Sequence, residues 1–94
     1  MELKRVVVTG LGALTPIGNN IQEYWDALKS GKSGCAPITY FDTEKFKTKF
    51  ACEIKNYDPL QHFDRKEARK LDRFAQYALV SSDQAIQDAA LDMD

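Results

Sequence analysis

A chain of 94 residues with a formal net charge of −1 has room for one small domain and carries no global charge to draw nucleic acid or an anionic membrane. Folding would bury on the order of 60 to 65% of the surface the unfolded chain exposes, so independent stability would be marginal. Two cysteines, Cys35 and Cys52, with the single histidine His62 argue against a zinc set or a disulfide framework and point to reduced thiols.

Lys4 and Arg5 ahead of an apolar run resemble a secretory leader, but Thr9, Gly10, Gly12 and Pro16 interrupt that run and no A-x-A cleavage pattern follows. No stretch approaches the roughly 20 apolar residues a membrane span needs. Val6, Val7 and Val8, β-branched and without polar alternation, predict a central strand buried on both faces. Gly10 and Gly12 mark a bulge or a close approach by backbone or ligand, and Pro16 with Gly18 predicts a turn.

Asn20 with Glu23 reads as a helix cap, and Ile21, Tyr24, Trp25 and Leu28 follow at helical spacing until Ser30 and Gly31 stop the helix. An irregular connection is expected over Gly34 to Pro37, and Asp42 could start a single turn. Phe50, Cys52 and Ile54 alternate with Ala51 and Glu53, the pattern of a half-covered edge or hairpin strand, with Cys52 on its core side. Asp58 and Pro59 fit the cap and first position of a short helical turn ending near Phe63.

The organising element is the stretch from Asp64 to Leu91, free of Pro and Gly, which reads as one long helix. Leu71, Phe74, Ala75, Ala78, Leu79, Ser82, Ala85, Ile86 and Ala89 recur at the spacing of one apolar face. Tyr77 and Val80 fall outside that arc, so covering on more than one side is expected. Asp64 and Glu67 supply a capping box at its start. If the helix is continuous, Arg65, Lys66, Arg69, Lys70 and Arg73 share the opposite side, while Asp83, Asp88, Asp92 and Asp94 face no basic residue after Phe74. That basic face is a candidate for an acidic partner, although charged faces are usually only solvated ones. The chain ends on a helix with no closing strand, as the front of something larger would.

Other motifs are weaker. Gly10-Leu11-Gly12 after an apolar strand resembles a dinucleotide fingerprint, but Thr15 replaces the third glycine and Pro16 delays the helix. Gly31-Lys32-Ser33 resembles the end of a P-loop, yet it follows a helix and lacks the upstream glycine. His62 has no sequence partner to make it a base, and neither cysteine has a neighbour that would activate a thiol. Two rivals stay open from the residues alone: a nucleotide-binding oxidoreductase fragment and a small basic-helix module for nucleic acid, the latter opposed by the near-neutral charge.

The ordered series Arg5-Val6-Val7-Val8-Thr9-Gly10-Leu11-Gly12, Thr15-Pro16-Ile17-Gly18-Asn19, Trp25, Leu28, Gly31 and Ser33-Gly34 resembles the opening of the type II β-ketoacyl-[acyl-carrier-protein] synthases. Phe41-Asp42-Thr43, Thr48-Lys49-Phe50-Ala51, Arg65-Lys66-Glu67, Arg69-Lys70 with Asp72, and Gln76-Tyr77 extend the likeness through the chain. The Phe41 to Ala51 segment favours the type II enzymes over their type I relatives.

The resemblance implies an α/β fragment of a thiolase-like layered α-β-α-β-α fold, with residues 1–94 forming the front of its first half. It also implies a cytoplasmic homodimer that elongates acyl chains by decarboxylative condensation with malonyl-acyl-carrier protein. No cofactor, metal, nucleic acid or membrane is implied. The family's nucleophilic cysteine lies downstream, so neither Cys35 nor Cys52 inherits the role, and no catalytic residue is expected here. What carries over is acyl-carrier-protein docking, at Lys66, Arg69 and Lys70, with Arg65 as an addition.

Overall fold

A computed structural model describes residues 2–92. In chain order it contains α1 (Ile21–Ser30), β1 (Cys35–Pro37), β2 (Phe50–Cys52), a 3-10 turn (Pro59–Gln61), α2 (Arg65–Lys70) and α3 (Arg73–Asp88). Met1, Met93 and Asp94, which entered the expectation of a chain that stops on a helix, lie outside the described residues.

The α1 helix starts as its sequence dictates. The Asn20 side chain accepts from the Glu23 amide at 2.9 Å, and the Glu23 carboxylate reaches back to the Asn19 amide at 3.0 Å. It stops at Gly31, whose φ of 71° only glycine adopts without strain, and whose amide donates to Ala27 and Leu28. The Gly31-Lys32-Ser33 sequence is therefore a helix terminus.

Within the Gly34 to Pro37 connection, Cys35–Pro37 is a strand. β1 and β2 form a two-stranded antiparallel hairpin with Cys35 opposite Cys52, Ala36 opposite Ala51 and Pro37 opposite Phe50. Beyond it the Ile38 amide donates to the Lys49 carbonyl at 3.0 Å. The expected hairpin is present over Phe50–Cys52, but its faces are reversed: Ala51 is half-buried while Phe50 and Cys52 are exposed. Cys52 is not a core residue, because the sheet has one partner strand and its covered side holds Ala36 and Ala51.

The single helix expected over Asp64 to Leu91 is two helices. Leu71 is extended (φ −102°, ψ 130°) and ends α2, and Asp72 is extended (φ −66°, ψ 158°) and starts α3. The break resets which residues face inward. Gln76 at 3% exposure and Val80 at 5% are buried, whereas Phe74 at 76% and Leu79 at 51%, both on the expected apolar face, are not. Covering from more than one side does occur, because Tyr57 stands edge-on to Tyr77 at 5.1 Å while the amino-terminal segment occupies another side of α3.

That amino-terminal segment is the second correction. Val6, Val7 and Val8 form no strand and are exposed, since the segment has no ladder partner among the described residues. Its amides bond instead to side chains of α3: Leu11 to Asp88 at 2.9 Å and Ala13 to Gln84 at 3.0 Å. Gly10 and Gly12 permit this approach. A Cβ on Gly12 would strike the Ser81 carbonyl and the Ala85 amide, and one on Gly10 would strike Ala85 and Ala89. Ser81, Ala85 and Ala89, four residues apart, are the small-residue stripe that receives the segment. The glycines thus admit a backbone, and the space a pyrophosphate would need is filled by α3.

Candidate functional site

The basic face rests on α2, and three contacts fix that short helix. The Asp64 carboxylate accepts from the Glu67 amide at 2.7 Å, the cap its sequence predicts. At the other end the buried Gln76 amide donates to the carbonyls of Ala68 and Leu71, both at 3.0 Å. Tyr57 in turn donates its hydroxyl to the Gln76 side-chain oxygen at 2.7 Å. Six residues would not hold a helix alone in water. One buried glutamine satisfies the carbonyls freed by the break and locks α2 against α3.

Arg65, Lys66, Arg69 and Lys70 are all exposed on this helix, and at 100° per residue they span an arc of about 140°. Half-buried Ala68 points the other way, toward the protein. Among the described residues the ion pair within 4 Å is Lys29 with Asp26, at 3.5 Å, so the four cations hold no carboxylate there. The structure brings together all four residues expected from the sequence.

Arg73 leaves the stripe. Across the Leu71–Asp72 break its guanidinium turns over the Tyr57 ring, 5.3 Å from the centroid. His62 stacks on Tyr57 with centroids 5.8 Å apart and is exposed. Burial pushes the Tyr57 phenol above its ordinary pKa, with the Arg73 charge opposing. A protonated phenol is the form that can donate to Gln76.

Beside α3 lies a groove of about 320 Å³ lined by Ile38, Tyr40, Phe41, Ala51, Ile54 and Tyr77, among others. The Tyr77 hydroxyl beside it, then burial, holds the Tyr40 phenol above its ordinary pKa. Elsewhere the Lys55 ammonium donates to the carbonyls of Gly34 at 2.8 Å, Glu53 at 2.9 Å and Pro16 at 3.2 Å, tying three loops together. Sequence reasoning passed over Lys55 and the clamping role of Gln76. Asp72 stands at the N-cap position of α3, but its side chain makes no cap hydrogen bond, so it was a weak signal for the break.

Among the described residues no three His, Cys, Asp or Glu side chains come together as a metal group, and no helix is long and apolar enough to cross a membrane. The architecture is the front of a thiolase-like condensing-enzyme fold. Its structure superposes on the ishigamide ketosynthase/chain length factor with a TM-score of 0.79 at 37% identity, covering 92% of this chain and 21% of that one. Residues 3–94 match the β-ketoacyl synthase N-terminal domain, and the chain belongs to that family. It is 53% identical over 91 residues to 3-oxoacyl-[acyl-carrier-protein] synthase 2 of Synechocystis sp., covering 97% of this chain and 22% of the relative. The Staphylococcus aureus (strain COL) and Coxiella burnetii proteins of the same name are 48% and 46% identical over 96% and 99% of this chain, again 22% of each relative. The chain thus spans about a fifth of the length of these relatives. Neither rival reading, oxidoreductase or nucleic-acid module, finds support in these relationships.

Proposed function

We propose that this chain forms the opening part, residues 1–94, of the first thiolase-like half of a 3-oxoacyl-[acyl-carrier-protein] synthase II. The whole enzyme extends fatty acyl chains by condensing an acyl group, held on a cysteine outside this chain, with the carbanion formed when malonyl-acyl-carrier protein loses carbon dioxide. The full-length protein works as a cytoplasmic homodimer. The 94 residues contribute scaffold and carrier docking, and alone they condense nothing.

The observation that carries the docking role is the α2 surface: four exposed cations without carboxylate partners among the described residues, on a helix fixed at both ends. An acidic carrier meeting a preformed basic stripe gains association rate and orientation, which suits a partner that must leave after each transfer. Lys66→Ala or Arg69→Ala in the full-length enzyme should each raise the KM for carrier about threefold to tenfold, mainly through slower association. Moderate salt should shrink the difference from the native enzyme, because exposed charges more than about 10 Å apart are screened at 0.1 M ionic strength. An unchanged carrier KM in the Lys66/Arg69/Lys70 triple alanine variant would refute docking at α2.

A further inference from the structure

The hairpin places the two cysteines of the chain face to face. Cys35 and Cys52 are directly opposed in the β1–β2 register, and both are exposed free thiols. Which kind of pair they form follows from the bonding next to them. Ile38 donates to Lys49, so that pair is a hydrogen-bonded one, and antiparallel pairs alternate. Counting back, Pro37 with Phe50 is non-bonded, Ala36 with Ala51 is bonded, and Cys35 with Cys52 is non-bonded. Two details agree: Pro37 has no amide hydrogen to offer a partner strand, and the Cys35 amide donates to the Ser33 hydroxyl at 3.2 Å, not across the ladder.

Non-hydrogen-bonded antiparallel pairs bring their Cα atoms to about 4.5 Å, with side chains on the same face. That lies within the roughly 4.4–6.8 Å over which cysteine pairs close a disulfide without backbone movement. We propose that Cys35 and Cys52 are a reversible thiol–disulfide pair, oxidised across the ladder by hydroperoxides. One thiol gives up its proton and the thiolate attacks the peroxide, breaking the O–O bond and forming a sulfenic acid as hydroxide leaves and takes up that proton. The second thiolate then attacks that sulfur, forming the S–S bond and expelling hydroxide, which takes up a proton. Two thiols and one hydrogen peroxide give one disulfide and two waters, and both electrons come from the sulfurs.

The consequence falls on the loop between the strands. It carries Phe41 and Phe46, packed edge to face at 5.4 Å, and Tyr40 beside Tyr77 of α3. The bridge closes a ring around that loop, and reduction by a thiol reopens it.

The test treats the intact native protein with hydrogen peroxide, blocks remaining thiols with an alkylating agent under denaturing conditions, and maps non-reduced peptides by mass spectrometry. The expected result is one intrachain peptide pair joining Cys35 and Cys52, lighter than its reduced components by about two hydrogen masses and dissolved by dithiothreitol. In a Cys35→Ser variant, Cys52 should lose this reversible protection and be trapped as a sulfenic acid by a 1,3-diketone. Cysteines that both remain alkylatable, that link only between chains, or that run on to sulfonic acids would overturn the proposal. So would full reversible protection of Cys52 in the Cys35→Ser variant.

Discussion

Gln76 is the residue on which the basic surface depends, although it carries no charge and is buried. Its amide serves two carbonyls at the helix break and its oxygen serves Tyr57. Gln76→Leu would keep the volume and strand all three groups, costing roughly 1–3 kcal/mol, read as a lower denaturant midpoint of the intact protein. Gln76→Glu should not rescue it, because a carboxylate would face two carbonyl oxygens. The Tyr57 link has a pH signature. Its folded pKa is raised, so its contribution is complete below the unfolded value of about 10 and is lost as pH rises through the folded one. Glycines separate in the same way. Gly12→Ala forces a methyl into the Ser81 carbonyl and should cost about 1–3 kcal/mol, while Gly31→Ala, with open space around it, should cost only the roughly 1–2 kcal/mol of its positive φ.

At the scale of elements, local chemistry was legible where it was self-contained. Asn20, Asp58 and Asp64 each cap the helical turn their sequence announces, and Gly31 ends α1, because all four act within a few residues of themselves. The shared face of Arg65, Lys66, Arg69 and Lys70 was legible for the same reason: they lie within two turns, so it survives whether the helix goes on or stops. What failed depended on distant partners. The run from Asp64 to Leu91 has helical composition throughout, and the choice to break at Leu71 is made by Gln76 and Tyr57, five and fourteen residues away. Arg73 was lost from the stripe with it. The two acidic caps should differ accordingly. Asp64→Ala removes a 2.7 Å bond to the Glu67 amide and should cost about 1 kcal/mol, with faster amide exchange in α2. Asp72→Ala should cost less than half of that, since the Asp72 side chain makes no cap hydrogen bond.

For the whole molecule the deciding quantity is the core, and it is very small. Ala27 and Val80 are the buried apolar residues among those described, while Val6, Val8 and Phe74 stand 87%, 79% and 76% exposed. The radius of gyration is 17.0 Å, against about 12 Å for a compact domain of this length. The expected marginal stability has its physical reason here: the loops are tied by polar contacts such as Lys55 with three carbonyls, but little apolar area leaves water to offset chain entropy. Polar ties of that kind contribute only about 1 kcal/mol each in water. The isolated 94-residue chain should accordingly melt without a cooperative transition, bind a hydrophobic dye and show weak near-ultraviolet dichroism despite its ten aromatic side chains. In the proposed full-length synthase the same residues should unfold with the rest in one transition, because further chain would there cover the exposed Val6, Val7 and Val8. A sharp, dye-free melt of the isolated chain would show that Ala27, Val80 and the polar ties suffice, and would remove the reason to expect partners for the exposed valines.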